Sequence, residues 1–208
     1  MKKVINCLND HNPVINTKCQ HVSIEEGETI AAELFNILNA RGDGIGLAAN
    51  QVGINASVAV VNVREPIVLI NPEIIETGDP IPFYEGCLSF PKKNMQTKRY
   101  QSVIIQSAQS LSGWYFNGVP TAQDVKGSRE KENSKQDQQL RLLEAICVQH
   151  EIDHLNGVTI HDRQINTIIT REKKIGRNEL VTIRKGADSK VLKYKKAKNL
   201  INQGWTIE

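Results

Sequence analysis

Apolar residues first recur at helical spacing between residues 23 and 42. Ile30, Leu34 and Leu38, flanked by Ala31 and Phe35, share one face; Ser23-Ile24-Glu25-Glu26 reads as a capping box and Gly42 as the stop. A glycine-rich turn follows, from Gly42 to Gly46. The period then changes. Residues 57–63 (SVAVVNV), 67–70 (IVLI) and 101–106 (QSVIIQ) are short runs rich in β-branched side chains, which suit a pleated surface, and they predict strands. Residues 84–91 predict an irregular or edge segment.

Residues 126–139 contain no apolar side chain, so with nothing to bury they predict a mobile polar insertion, drawn at about 121–139. A strong helix is predicted over 139–155, stopped by Asn156-Gly157. Leu143, Cys147, His150 and His154 lie at i, i+4, i+7 and i+11 within it, which places an apolar wall and two imidazoles on one face. Beyond it, residues 180–184 and 190–194 predict a hairpin, 197–203 a short helix stopped by Gly204, and 205–207 a returning strand. There is no internal repeat. The fold class expected is α+β, with antiparallel strands around a central helix. A catalytic domain is expected over 1–168 and a small basic appendage over 169–208.

The 208 residues suffice for one stable core, and 39% hydrophobic with 24% charged residues is an ordinary globular composition. No apolar run is long enough to span a membrane, and the start has no apolar core of signal-peptide length. A cytoplasmic location without membrane partners is expected. Four cysteines in such a chain point to burial or metal binding before disulfides. Charge is uneven. Between Arg171 and Lys198 stand eleven Lys/Arg and three Asp/Glu, an excess of +8 in a chain of net +3, so the remainder carries −5.

The sharpest chemical feature is His150-Glu151-Ile152-Asp153-His154. On a helix, imidazoles at i and i+4 can chelate one metal, and the glutamate between them can act on water beside it. A catalytic site of this kind commonly takes three protein ligands, so two histidines need a third. No histidine downstream fits an extended HExxHxxGxxH motif. Upstream, Cys87 in Glu85-Gly86-Cys87-Leu88-Ser89 is a thiolate candidate beside a glycine that permits close backbone approach. A lone cysteine is more often a small buried hydrophobe, which is the reading for Cys147 as cavity lining. On the residues alone, Gln51 reads as a buried amide serving neighbouring backbone, and Ile146 could be plain core.

Three ordered blocks resemble those of peptide deformylases: Gly44-Ile-Gly46-Leu-Ala-Ala-Asn-Gln51, Glu85-Gly-Cys-Leu-Ser89 and Gln149-His-Glu-Ile-Asp-His154. They match the family patterns GxGxAAxQ, EGCLS and QHExDH, and the resemblance spans about residues 20 to 165. It implies hydrolysis of the N-formyl group from the formyl-methionine of nascent proteins. It implies one divalent metal held by Cys87, His150 and His154, with Fe2+ the usual physiological ion and Zn2+, Ni2+ or Co2+ able to replace it. Glu151 would carry the proton, while the Gln51 side chain and the Leu88 backbone N–H would stabilise the oxyanion. Ile45, Gly46, Phe83, Gly86, Leu143, Ile146 and Cys147 would line the site for the substrate. Where bacterial members often carry an arginine after EGCLS, this chain reads Phe90-Pro-Lys-Lys-Asn94, and the segment from Cys87 to His150 is longer than usual. The basic tail lies outside the resemblance and suggests contact with ribosomal RNA phosphate, or simply a solvated face.

Two other readings compete. A zincin-like peptidase would share HExxH but not the EGCLS and Gln51 blocks. A non-catalytic protein would either carry a structural metal or be a deformylase-like binder of formylated N-termini; a structural metal would be expected to have four protein ligands, and only three are legible.

Overall fold

The computed structural model describes residues 2–7, 12–118, 135–165, 178–186, 188–201 and 204–207. The chain divides into two compact units, Met1–Ile165 and Asn166–Glu208. The expected boundary near 168 lies outside the described residues.

In the first unit, α1 (Ile24–Arg41) is followed by eight strands: β1 (Gly46–Ala48), β2 (Val58–Asn62), β3 (Pro66–Ile70), β4 (Glu73–Thr77), β5 (Pro80–Cys87), β6 (Phe90–Tyr100), β7 (Ser102–Ser107) and β8 (Ser110–Asn117). Helix α2 (Lys135–Leu155) closes the set. The strands pair antiparallel in the orders β1-β2-β3, β4-β7-β8 and β5-β6. This is the expected α+β fold with antiparallel strands around a central helix.

Helix α1 starts and stops as its sequence dictates. The Ser23 hydroxyl accepts the Glu26 N–H at 3.2 Å, and Gly42 closes the helix at φ 69°, in the left-handed region that favours glycine. Its Ala31, Leu34 and Leu38 pack on Leu47, Val58 and Val60. The alternate residues of β2, Ala59 and Val61, pack with Cys147, Val148 and Ile152 of α2 and with Val103 and Ile105 of β7. A strand buried on both faces explains the unbroken apolar run of residues 58–61. Each buried valine there contributes about 1.5–3 kcal/mol by leaving water. Helix α2 is more enclosed than a one-faced pattern suggests, since every residue from Glu144 to Leu155 is buried.

Residues 84–91 take the edge alternative, in a two-stranded sheet whose register shifts between Gly86 and Cys87. They belong to a long hairpin that pairs Pro80 with Tyr100 and Gly86 with Asn94. The pattern hid it because the inward side chains of β6 are polar: Thr97 donates to the Phe83 carbonyl at 3.2 Å, and Arg99 is buried against carboxylates. Helix α2 begins four residues before the expected start, so residues 135–139 are helix and not insertion. Polar contacts support that first turn, with Arg141 Nε donating to Asp137 at 2.7 Å, one turn back. The rest of the expected insertion, residues 121–134, lies outside the described residues.

The second unit contains β9 (Leu180–Lys185), β10 (Asp188–Lys193), α3 (Tyr194–Ile201) and β11 (Thr206–Ile207), with sheet order β10-β9-β11. The hairpin and returning strand are as expected, while α3 starts three residues early. Its small core is Val181, Ile183 and Ala197, with Trp205 packed against them and Lys190 Nζ 4.8 Å from the Trp205 ring. Among the described residues, no helix is long and apolar enough to cross a membrane.

Candidate active site

Cys87 ends β5, and His150 and His154 lie one turn apart on α2. The two Nε2 atoms are 3.2 Å apart, and Cys87 Sγ is 3.2 Å from His154 Nε2. All three donor atoms fall within 4.8 Å of one another and all three residues are buried. Ligand bonds of about 2.0–2.3 Å place donors roughly 3.3–3.7 Å apart around a tetrahedral ion. The spacing, the burial and the mixed thiolate–imidazole chemistry therefore fit one divalent metal. Among the described residues no fourth His, Cys, Asp or Glu joins the group, which leaves it open on one side, as a catalytic site requires.

A buried charge network holds the donors. Glu85, two residues before Cys87 on the same face of β5, places Oε2 3.2 Å from His150 Nδ1, which directs the other ring nitrogen to the metal position. Arg99 binds Glu85 and reaches Asp153 on α2; Asp153 is also held by Arg163 at 2.6 and 2.9 Å. Burial alone would raise the Glu85 carboxyl, but the His150 hydrogen bond and the charges of His150 and Arg99 bring it down to about 2. Burial above all holds His154 well below the usual imidazole range, and a neutral ring is the form that can bind a metal. Gln149 fastens α2 to the sheet: its amide accepts from Tyr100 N–H and donates to Tyr100 O, both at 2.8 Å. Arg99 carries no local sequence signal, because its partners lie 14 and 54 residues away.

Glu151 lies between His150 and His154, 3% exposed, and its Oε2 has no protein partner among the described residues. Burial lifts its carboxyl to about 7, a value that suits proton exchange near neutral pH; a dication beside it acts in the opposite direction. Gln51 is buried, and the two ends of its amide meet different partners. Its Oε1 accepts the Ala48 N–H at 2.8 Å, while Nε2 points to Ser89 Oγ at 3.3 Å and Cys87 Sγ at 3.7 Å. Leu88, half-buried, follows Cys87 at the same place.

These groups face a cleft of about 540 Å³, in the usual range for a ligand pocket. Its lining includes Ile45, Gly46, Gln51, Phe83, Gly86, Cys87, Leu88, Leu143, Ile146, Cys147, His150 and Glu151. His154 lies beneath, 1% exposed and outside that lining. Sequence reasoning missed Tyr84, Phe90, Lys92 and Lys93, which also line the cleft. Cys147 is wall and not ligand: its thiol donates to the Ile45 carbonyl at 3.6 Å, and burial, with the nearby Glu151 charge, keeps it protonated.

Gly46 marks the tightest approach. A methyl group there would stand 2.6 Å from Cys147 Sγ and still closer to the Glu151 carboxylate. Gly46→Ala is therefore expected to retain the fold but lose at least about 10²-fold in kcat, because displacing a catalytic group by about 1 Å costs that much. Circular dichroism and steady-state rates on one preparation check it.

The sequence matches the family model described as Polypeptide deformylase over residues 4–117 and 120–172. It is 34% identical over 166 residues to a peptide deformylase of Dictyoglomus thermophilum, across 78% of this chain and 94% of that protein. The structure is similar to the peptide deformylase of Synechococcus elongatus solved with actinonin, at a TM-score of 0.59 and 28% identity, covering 82% of each chain. It is likewise similar to that of Thermotoga maritima, at a TM-score of 0.57 and 28% identity, covering 79% of this chain and 98% of the other. Since the family model runs from residue 4 to residue 172 and the Dictyoglomus thermophilum protein aligns along 94% of its length, the chain belongs to the peptide deformylase family.

Proposed function

We infer that this chain is a peptide deformylase that hydrolyses the N-formyl group of formyl-methionine at the start of nascent proteins, releasing formate. The observation that carries the reading is the Cys87, His150 and His154 donor set facing a cleft beside Glu151 and the Gln51 amide.

In this reading Cys87, His150 and His154 hold one divalent ion. When bound, such an ion activates water for attack near neutral pH. Glu151 takes the proton from that water and delivers it to the departing amine nitrogen, a role worth about 10²–10⁴ in rate. Gln51 Nε2 and the Leu88 backbone N–H donate to the formyl oxygen as negative charge develops there, each worth about 10²–10³. Ile45, Gly46, Phe83, Gly86, Leu143, Ile146 and Cys147 form the surface on which formyl-methionine lies, and burying the methionine side chain supplies about 1.5–3 kcal/mol. Fe2+ is the physiological ion in this reading, with Zn2+, Ni2+ and Co2+ as substitutes. A thiolate with two imidazoles suits all of them, so metal analysis of anaerobically prepared protein decides.

Formyl-Met-Ala-Ser offered together with a blocked internal peptide tests the function. Formate release with the internal peptide intact is expected; cleavage of the internal peptide would favour a zincin-like peptidase.

We place the enzyme in the cytoplasm, where nascent chains emerge. Its basic segment, between Arg171 and Lys198, would hold it near ribosomal RNA through phosphate contacts. Cosedimentation with ribosomes is expected to fall steeply with salt and to vanish on truncation after Ile169, with short formyl-peptides still hydrolysed. Equal ribosome binding by the truncated form would remove the role of the tail.

A further inference from the structure

The β5–β6 hairpin leaves its regular ladder beside the metal donors. Gly86 faces Asn94, but its neighbour Cys87 faces Phe90. Pro91, Lys92 and Lys93 therefore have no partners across the ladder, and they bulge from β6 at the level of Cys87. Lys92 holds φ at 64°, a left-handed conformation shared among the described non-glycine residues only by Asn71. Such a conformation is uncommon for a long side chain, and bulges beside active sites serve to re-aim side chains. Here all three bulged residues line the cleft and both lysines are exposed.

The charges around the cleft are unequal in what they leave free. Arg41 gives two guanidinium contacts of 2.9 Å to Asp43, so that pair is internally satisfied. Glu85 and Glu151 are buried at the depth of the cleft, and Glu85 is held by Arg99 and His150. Among the described residues Lys92 and Lys93 enter no ion pair. They are two unneutralised cations at the mouth, on a chain that is net −5 outside its basic segment.

We propose that the bulge of residues 91–93 reads the polypeptide that follows formyl-methionine, with Lys92 and Lys93 favouring acidic side chains in its first few positions. This rests on the deformylase reading above. With the formyl group at the donors and methionine in the apolar part of the cleft, an extended chain advances about 3.3 Å per residue, so the next two or three residues leave past the mouth. Lysine is a flexible point charge without the fixed fork of arginine, so the bulge selects charge and not one sequence. Exposed charge pairs contribute modestly, so the preference is several-fold and sensitive to salt.

The test compares kcat/KM for formyl-Met-Ala-Glu, formyl-Met-Ala-Ser and formyl-Met-Ala-Lys, all as C-terminal amides. At low salt the Glu peptide is expected to exceed the Lys peptide by about five- to tenfold, with the Ser peptide between them. The ratio is expected to shrink towards one at about 1 M salt, where the Debye length is about 3 Å. Lys92→Glu combined with Lys93→Glu is expected to invert the ratio, and the double alanine variant to bring it near one. Because each ratio is taken within one protein, a general loss of activity in a variant cancels. Equal rates for the Glu and Lys peptides in the unaltered enzyme would overturn the proposal, whether or not the variants fold. So would a ratio that neither double substitution changes. Failure to hydrolyse even the Ser peptide would count instead against the deformylase reading.

Discussion

Glu151→Gln is expected to bind its metal normally and to lose about 10²–10⁴ in kcat. The substitution keeps the size and planar shape of the side chain, so the walls of the cleft and the packing of α2 are undisturbed. Glu151 is not among the three grouped donors, so the ion keeps all of its protein ligands. What disappears is a group that can both accept and return a proton, at a position where burial already lifts the carboxyl to about 7. KM should change far less than kcat, because formyl-methionine binds through the apolar wall. Metal content by mass spectrometry and formate release on one preparation separate the two effects. Turnover within tenfold of the unaltered enzyme would mean that another group carries the proton.

Cys87→Ala is expected to fail in the opposite order, losing the ion first and activity as a consequence. The thiolate is one of three donors, and its removal leaves two imidazoles whose Nε2 atoms stand 3.2 Å apart. Losing even an outer partner of a metal ligand commonly costs about 10–100-fold in metal affinity, so losing the ligand itself should cost more. Cys147→Ala provides the comparison. Cys147 is buried and kept protonated, with its thiol directed to the Ile45 carbonyl, so that variant should hold the ion at full stoichiometry. Equal metal content in the Cys87→Ala protein would show that the wrong third ligand has been assigned.

What the sequence disclosed depended on how local the physical signal was. His150 and His154 are four residues apart on one helix, so their shared face is written in their spacing. The strand over residues 58–62 is legible because both of its faces are buried and its residues are β-branched or small. Cys87 was legible only as a candidate, since a cysteine beside glycine fits burial equally well until β5 is seen to end against α2. Strand β6 was obscured because its sequence, FPKKNMQTKRY, has a proline at its second position and turns Thr97 and Arg99 inward, the reverse of an apolar-in pattern. The buried arginine is stable there only because Glu85 and Asp153 meet it, and neither is near it in sequence. The first turn of α2 reads as loop in the sequence for the same reason: Asp137 and Arg141 support it, and no apolar residue marks it. Gln51 shows the limit from the other side, because one amide serves the backbone with its oxygen and faces the donors with its nitrogen.

Titration of metal-stripped protein with a single dication, read as formate released from formyl-Met-Ala-Ser, bears most directly on the central claim that this donor set performs deformylation. Formate release is expected to rise linearly and break at one equivalent of ion per chain, each formate matched by one new free amino terminus. Activity independent of added metal would contradict it, as would full metal binding at that stoichiometry with no formate released.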